Sequence, residues 1–143
     1  MFMLNELLIK ELSNKVDTNT SEIQSIKDAE VYSTSEVKTN KVWIDGKPIY
    51  RKSFIITSIS TGSNYITHNI DNLGDLINVY GNCLRKDGKW QPALRTDSTL
   101  LDWQIGVNDI GSTQFVLMVG SKYTGSVVIT KGNITLEYTK TTD

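Results

Sequence analysis

Two residue types that often carry nucleophilic or metal chemistry each occur once in this 143-residue chain. His68 lies in residues 65–70, an alternating strand-like run, and no Gly-x-Ser-x-Gly elbow accompanies it. Cys83 has no adjacent base, and we expect it to be a small buried apolar residue. A single histidine and a single cysteine cannot build a Cys/His zinc site, and one cysteine excludes an internal disulfide. The sequence therefore predicts no catalytic residue and no metal centre.

Carboxylates are the remaining candidates for catalysis, because glycan cleavage needs only two acids at a suitable separation. Asp45, Asp87 and Asp109 stand in turn contexts, where Asp favours the backbone conformation of the turn. Asp102 stands beside Trp103 and is the most interesting pairing of an acid with an aromatic residue. No Gly-rich phosphate loop or EF-hand spacing is present. Glycan hydrolysis is thus a distant alternative, and we expect a protein that is not an enzyme.

Sugar binding without cleavage needs exposed aromatic faces with polar side chains nearby. Trp90, Trp103, Tyr65 and Tyr123 are the candidate ligand contacts, and Trp90 directly follows a polar turn. The alternative is that these rings fill the core of the fold, as strand Trp and Tyr residues commonly do. For Trp43, we favour packing between subunits.

Charge and composition divide the chain near residue 30. The whole chain has a net charge of −1, which gives no indication of a nucleic-acid partner. Residues 1–30 are net acidic, residues 31–143 are slightly basic, and all but one of the aromatic residues follow the boundary. No apolar run reaches the roughly 18 residues of a membrane span, and the start is a poor signal peptide. We expect a protein made in the cytoplasm, without membrane insertion, with regions 1–30 and 31–143.

The first region has the spacing of a short coiled coil. No Gly or Pro interrupts it, and β-branched residues at both a and d favour three or four strands. Fewer than three heptads are present, so a single amphipathic helix docked on its own domain is the alternative. With Ile9 at position a, the predicted core residues are Ile9, Leu12, Val16, Asn19, Ile23 and Ile26.

Asn19 is the one polar residue among the predicted core positions. The string from Val16 to Ile23 reads Val-x-x-Asn-Thr-x-x-Ile, which resembles the Asn-at-d layer of trimeric autotransporter adhesins and viral fibres. The resemblance implies a parallel homotrimer whose three Asn19 amides hold a chloride ion on the axis. Amide N–H groups facing a narrow axis need an acceptor, and an anion satisfies three of them. No other cofactor is expected.

The apolar residues at the start of the chain, Phe2, Leu4, Leu7 and Leu8, do not keep this heptad register. Leu4 and Leu8 continue towards the coiled coil at a spacing of four, which indicates a local change of winding. They form either a frayed tip or broadened bundle core, or a plug that docks into a larger assembly.

From residue 31 onward, short β-rich runs alternate with turn signals about every ten residues. Asp45-Gly46 and Asp87-Gly88 predict hairpins, and Lys131-Gly132-Asn133 predicts a further turn. Residues 42–44 predict a strand before the first hairpin, and 49–52 and 53–60 predict two separate strands after it. Residues 115–119 are apolar on both faces, which predicts a central buried strand. The fold class is therefore mainly β: a trimeric coiled-coil helix followed by an antiparallel, jelly-roll-like β-sandwich head of about eight or nine strands.

Residues 30–37 and 43–52 resemble a sequence motif found in phage and prophage fibre proteins. Residues 134–143 resemble the C-terminal ends of such chains. The resemblance implies a virion-associated trimer: a head fibre, a tail-fibre tip or a receptor-binding protein. Its N-terminal helix would bind another virion protein, and its head would recognise a host surface glycan or protein. The alternative is a purely structural head-fibre or capsid-decoration protein without a specific ligand.

Overall fold

The computed structural model describes residues 2–93, 104–124 and 128–143. These residues form one N-terminal helix and eight strands, all paired antiparallel, so the expected mainly β class with a leading helix is confirmed. Contacts divide the chain into two units, Met1–Val31 and Tyr32–Asp143. The helix belongs to the first unit and all the strands belong to the second.

The helix α1 spans Phe2–Ala29, 28 residues without a Gly or Pro. It ends in a tightened turn, because the backbone N–H groups of Glu30 and Val31 donate to carbonyls only three residues earlier. Lys27 stands in the last turn, where a cation complements the partial negative charge of the helix end.

The strands form a five-stranded sheet in the order β1-β2-β8-β4-β5 and a three-stranded sheet in the order β3-β7-β6. The last strand of the chain, β8, lies at the centre of the larger sheet and pairs with both β2 and β4. The strands are β1 Val37–Val42, β2 Pro48–Ile56, β3 Gly62–Thr67, β4 Leu73–Arg85, β5 Trp90–Pro92, β6 Ile105–Asn108, β7 Gln114–Val119 and β8 Ile129–Lys140.

The two Asp-Gly hairpins are confirmed. Gly46 and Gly88 adopt positive φ angles of 88° and 82°, a conformation that costs glycine little. The strand predicted over 42–44 ends earlier, because β1 stops at Val42. Trp43 belongs to the first turn, where its N–H donates to the Lys47 carbonyl at 2.8 Å.

The predicted turn at Lys131-Gly132-Asn133 is wrong, because these residues run straight through β8. Gly132 pairs with Ile56 on one side and with Cys83 on the other. An added Cβ at this glycine would meet the Cys83 Sγ atom at 3.4 Å, an ordinary van der Waals contact. Similarly, β2 is one continuous strand over Pro48–Ile56, where two separate strands were expected.

Both sheets contribute buried residues to one hydrophobic cluster. In the smaller sheet, the predicted central strand β7 is confirmed as central and largely buried. In the larger sheet, Ile134, Leu136 and Tyr138 of β8 are fully buried in the cluster. Because side chains alternate along a strand, Thr135 and Glu137 lie on the opposite face, which we call the outer face.

Candidate functional site

His68 is completely buried, and both of its ring nitrogens are engaged by backbone groups. The Ile70 N–H donates to Nδ1 at 3.0 Å, so the ring proton resides on Nε2. Nε2 donates in turn to the Gly111 carbonyl, also at 3.0 Å. The ring thereby joins two loops and leaves neither nitrogen available for proton transfer.

Cys83 lies on β4 with no exposed surface. Burial raises the pKa of its thiol to about 11, because the thiolate would lose its hydration in the core. The side chain is therefore a protonated, apolar core residue at neutral pH, as expected.

Two of the three Asp residues of the predicted turns accept hydrogen bonds from backbone N–H groups. Asp45 accepts the Lys47 N–H at 3.0 Å, and Asp87 accepts the Lys89 N–H at 3.2 Å. Asp109 adopts a positive φ of 46°, a conformation that Asp tolerates better than most residues. The predicted pair Asp102–Trp103 lies outside the described residues.

Two further findings concern the parts of the chain that the structure describes. They contain no cluster of three or more His, Cys, Asp or Glu side chains able to hold a metal ion. They also contain no helix with the length and hydrophobicity needed to cross a bilayer.

The structure describes three of the four aromatic ligand candidates, and these three differ in exposure. Trp90 and Tyr65 are 51% and 66% exposed. Tyr123 is only 4% exposed and belongs to the core cluster, so its prediction as a surface ligand contact is wrong. Trp103 lies outside the described residues. Trp90 and Tyr65 also stand on different sheets, on β5 and β3, and so do not form one site.

The outer face brings together polar and aromatic side chains that are far apart in the sequence. The strand register arranges them in four successive rows, and side chains of one row stand on neighbouring strands. The rows are Trp90–Leu84–Lys131, Pro92–Asn82–Asn133–Ile55, Tyr80–Thr135–Ser53 and Asn78–Glu137–Arg51. Trp90 is the only member that we predicted to contact a ligand.

Tyr32 adds a further ring beside Tyr80 on this face. The Arg51 guanidinium lies 4.2 Å from the centre of the Tyr32 ring, a cation–π arrangement. The Tyr32 and Tyr80 rings meet edge to face at 6.5 Å, and the Tyr80 hydroxyl donates to that of Tyr32 at 3.2 Å. Burial, followed by this hydrogen bond, raises the pKa of Tyr80. These contacts hold the exposed Tyr32 ring in place.

Glu36 fastens the segment before β1 to the end of β8. Its carboxylate accepts the Tyr138 hydroxyl at 2.6 Å and pairs with the Lys140 ammonium at 2.6 Å. Burial and then the Glu36 hydrogen bond raise the pKa of Tyr138, which also stacks on Tyr50 at 6.2 Å. We interpret the contacts of Glu36 with Tyr138 and Lys140 as structural. They attach the segment before β1 to the core, because Tyr138 is part of the core cluster.

The predicted coiled-coil core residues form an apolar stripe on α1. At about 100° of rotation per residue, the stripe from Leu8 to Ile26 occupies an arc of about 100°. Its five apolar members from Ile9 to Ile26 are 53–68% exposed in the single chain. Asn19 lies within the arc, and the flanking hydroxyls of Thr18 and Thr20 donate to carbonyls four residues earlier.

The tip of the helix carries exposed apolar side chains in several directions. Phe2, Leu4, Leu7 and Leu8 are all exposed, as is Met3. Of these, Met3 and Leu7 point away from the stripe, on the opposite side of the helix. A bundle packed through the stripe alone would leave these two side chains uncovered.

Comparison with known proteins identifies no relative: no family model matches the chain, and neither a curated protein nor a solved structure matches it. The proposals below are therefore argued from the residues and their geometry.

Proposed function

We propose that this protein is a homotrimeric phage fibre protein of the virion. It recognises the host cell surface through the second unit, Tyr32–Asp143, which we call the β unit. The observation that carries the proposal is the exposed apolar stripe of α1. A 28-residue helix that presents Ile, Leu and Val to water gains stability by burying them against other helices. Copies of the same chain fit this stripe, because its heptad spacing suits helix-to-helix packing.

Three copies suit this stripe better than two. Val16 and Ile23 at a and Ile26 at d are β-branched, which disfavours a two-stranded coiled coil. In the trimer, the Asn19 amides face the axis and hold a chloride ion. This polar layer lowers stability and fixes both the register and the number of strands.

The β unit is the recognition head of this trimer, with an antiparallel, jelly-roll-like sandwich architecture. The shared core cluster of the two sheets supports this arrangement. Three heads on one stalk would multiply weak contacts, and linked sites can raise avidity by about 10²–10⁴.

The apolar tip attaches the fibre to another virion protein. This role is supported by Met3 and Leu7, which the bundle interface does not cover. The tip also supports the second candidate function, a purely structural head-fibre or capsid-decoration protein, because both functions require attachment to the virion.

The trimer is tested by mass in solution. Three chains of 16.0 kDa give a particle of about 48 kDa by light scattering or sedimentation. Ile23→Asp places a charge at an a position and should produce monomers, whereas Ser25→Asp on the outward side should remain trimeric. A wild-type monomer at micromolar concentration would overturn the trimer.

The two candidate functions are separated by binding assays with the purified trimer. Labelled protein is added to a panel of bacterial strains and, separately, to other phage virion proteins. Binding to some strains, retained after deletion of residues 2–7, supports host recognition. Absence of binding to every strain, together with tip-dependent binding to a virion protein, supports the structural alternative and contradicts the recognition proposal.

A further inference from the structure

The outer face of the five-stranded sheet carries aromatic rings at two places, with side-chain amides between them. Trp90 is in the first row, and Tyr80, with Tyr32 beside it, is in the third. Trp90 pairs with Leu84, four residues from Tyr80 along β4, so these rows are about 13 Å apart. The exposed residues Asn82 and Asn133 are register partners on β4 and β8, in the second row, between these two rows. These five residues, Trp90, Asn82, Asn133, Tyr80 and Tyr32, define what we call the aromatic track.

Positive charge collects at the Trp90 end of the track. The Lys131 ammonium lies 5.6 Å from the centre of the Trp90 ring. The turn between β4 and β5 adds two further cations, Lys86 and Lys89. The one acid of this turn, Asp87, is paired with the Arg85 guanidinium at 2.7 Å. Among the described residues of this end, cations therefore outnumber anions.

We propose that the aromatic track binds a linear glycan that carries acidic groups. A sugar ring packs its C–H face on Trp90, and its carboxylate or phosphate pairs with Lys131. Asn82 and Asn133 each offer an N–H donor and a carbonyl acceptor, which matches sugar hydroxyls that both donate and accept. A further ring packs on Tyr32, which Arg51 and Tyr80 hold in place. This inference rests on the proposed host recognition and names its surface and ligand class.

Single-stranded nucleic acid also binds surfaces with aromatic and basic residues. The composition of this face favours a glycan, because amides occupy the middle of the track and the Glu137 carboxylate stands on the same face. A net charge of −1 for the whole chain also provides little attraction for a phosphate backbone.

The test uses the full-length protein and four kinds of probe. Uronic-acid oligosaccharides and phosphate-bearing oligosaccharides distinguish the two acidic groups, neutral oligosaccharides provide the comparison, and oligothymidylate tests for nucleic-acid binding. Affinity is measured by calorimetry, and contact with Trp90 by its indole N–H signal in NMR spectra. We expect an acidic oligosaccharide to bind and to shift this signal, and Trp90→Ala and Lys131→Ala each to weaken binding at least about tenfold.

Tyr65→Ala is the matched control, because Tyr65 is an exposed ring on the other sheet, and it should leave binding unchanged. Equal affinity for neutral oligosaccharides, insensitivity to Trp90→Ala, or preferential binding of oligothymidylate would overturn the inference. If the trimer binds bacterial cells and Trp90→Ala does not weaken that binding, the proposed glycan site on the aromatic track is wrong. The proposal of host recognition is then retained. If no strain is bound, the proposed function also fails.

Discussion

Gly81 stands inside β4, directly opposite Ile134 of the central strand β8. A Cβ atom there would overlap the Asn133 carbonyl oxygen and lie 2.8 Å from the Ile134 Cδ1 atom. Because the obstacle is backbone, β4 and β8 would have to separate locally. We expect Gly81→Ala to lower the free energy of unfolding by about 3 kcal/mol or more, measured by urea denaturation.

Gly111→Ala is the matched control, because its Cβ would meet nothing closer than the Gln114 carbonyl oxygen at 3.7 Å. It should change stability by less than about 1 kcal/mol. Equal effects of the two substitutions would contradict the close packing of β4 against β8.

The buried Cys83 thiol should be unreactive in the folded protein. Thiol reagents attack the thiolate, and burial both hides the sulfur and raises its pKa to about 11. At pH 8, we expect a thiol-reactive chromophore to label the native protein far more slowly than the urea-unfolded protein. Equal labelling rates would show that β4 opens readily.

The raised pKa of the Cys83 thiol predicts that the free energy of unfolding falls at alkaline pH. The folded pKa lies above the value of 9.0 for an ordinary thiol, so the unfolded chain loses its proton first. The contribution to stability is complete below pH 9 and falls as the pH rises towards 11, by about 3 kcal/mol. Cys83→Ala should remove this part of the pH dependence, whereas a profile identical to that of the wild type would contradict it.

At the scale of elements, the proposed role of Asn19 in the association of α1 can be tested by substitution. Replacing it by Ile should raise the melting temperature of the bundle, because an apolar side chain replaces a buried amide. The same change should permit a second register or strand number, detectable by sedimentation. Ser21→Ala, at the outward f position, should preserve the wild-type assembly. Unchanged stability of Asn19→Ile would show that Asn19 lies outside the bundle core.

The link from Glu36 to β8 is a second testable element. Tyr138→Phe removes the hydroxyl that Glu36 accepts at 2.6 Å, and it should cost about 1–2 kcal/mol at pH 7. Tyr65→Phe, which alters an exposed tyrosine, should cost nothing measurable. Because the pKa of Tyr138 is raised, its neutral form favours the folded state, and this contribution is lost as the pH rises above 10. Urea denaturation at pH 7 and above pH 10 measures both effects.

At the scale of the whole molecule, the proposed trimer should bind cells far better than one head does. The Ile23→Asp variant retains the β unit and should lose the bundle, so its apparent affinity for a bound strain should fall by about 10²-fold or more. Ser25→Asp should bind as the wild type does. Equal cell binding by a monomeric Ile23→Asp variant would show that avidity contributes nothing.

The local sequence was enough to predict the helix, its apolar stripe and the two Asp-Gly hairpins. The helix followed from an uninterrupted sequence, and its stripe from heptad spacing, because the positions that share a helix face are fixed within a few residues. The Asp45-Gly46 and Asp87-Gly88 hairpins also followed from the conformations that these residues favour. The same local reasoning predicted a turn at Gly132 and was wrong there, because the pairing of Gly132 with Ile56 of β2 and Cys83 of β4 keeps this segment in a strand.

Only the tertiary structure decided which side chains share a surface. Of the aromatic track, the sequence singled out Trp90 alone. Asn82 stands beside Asn133, about fifty residues away, because β4 pairs with the last strand of the chain. Tyr123, a ligand candidate by sequence, became a core residue because both sheets supply one cluster. Strand order and register depend on contacts summed over the whole β unit, so no local pattern specifies them.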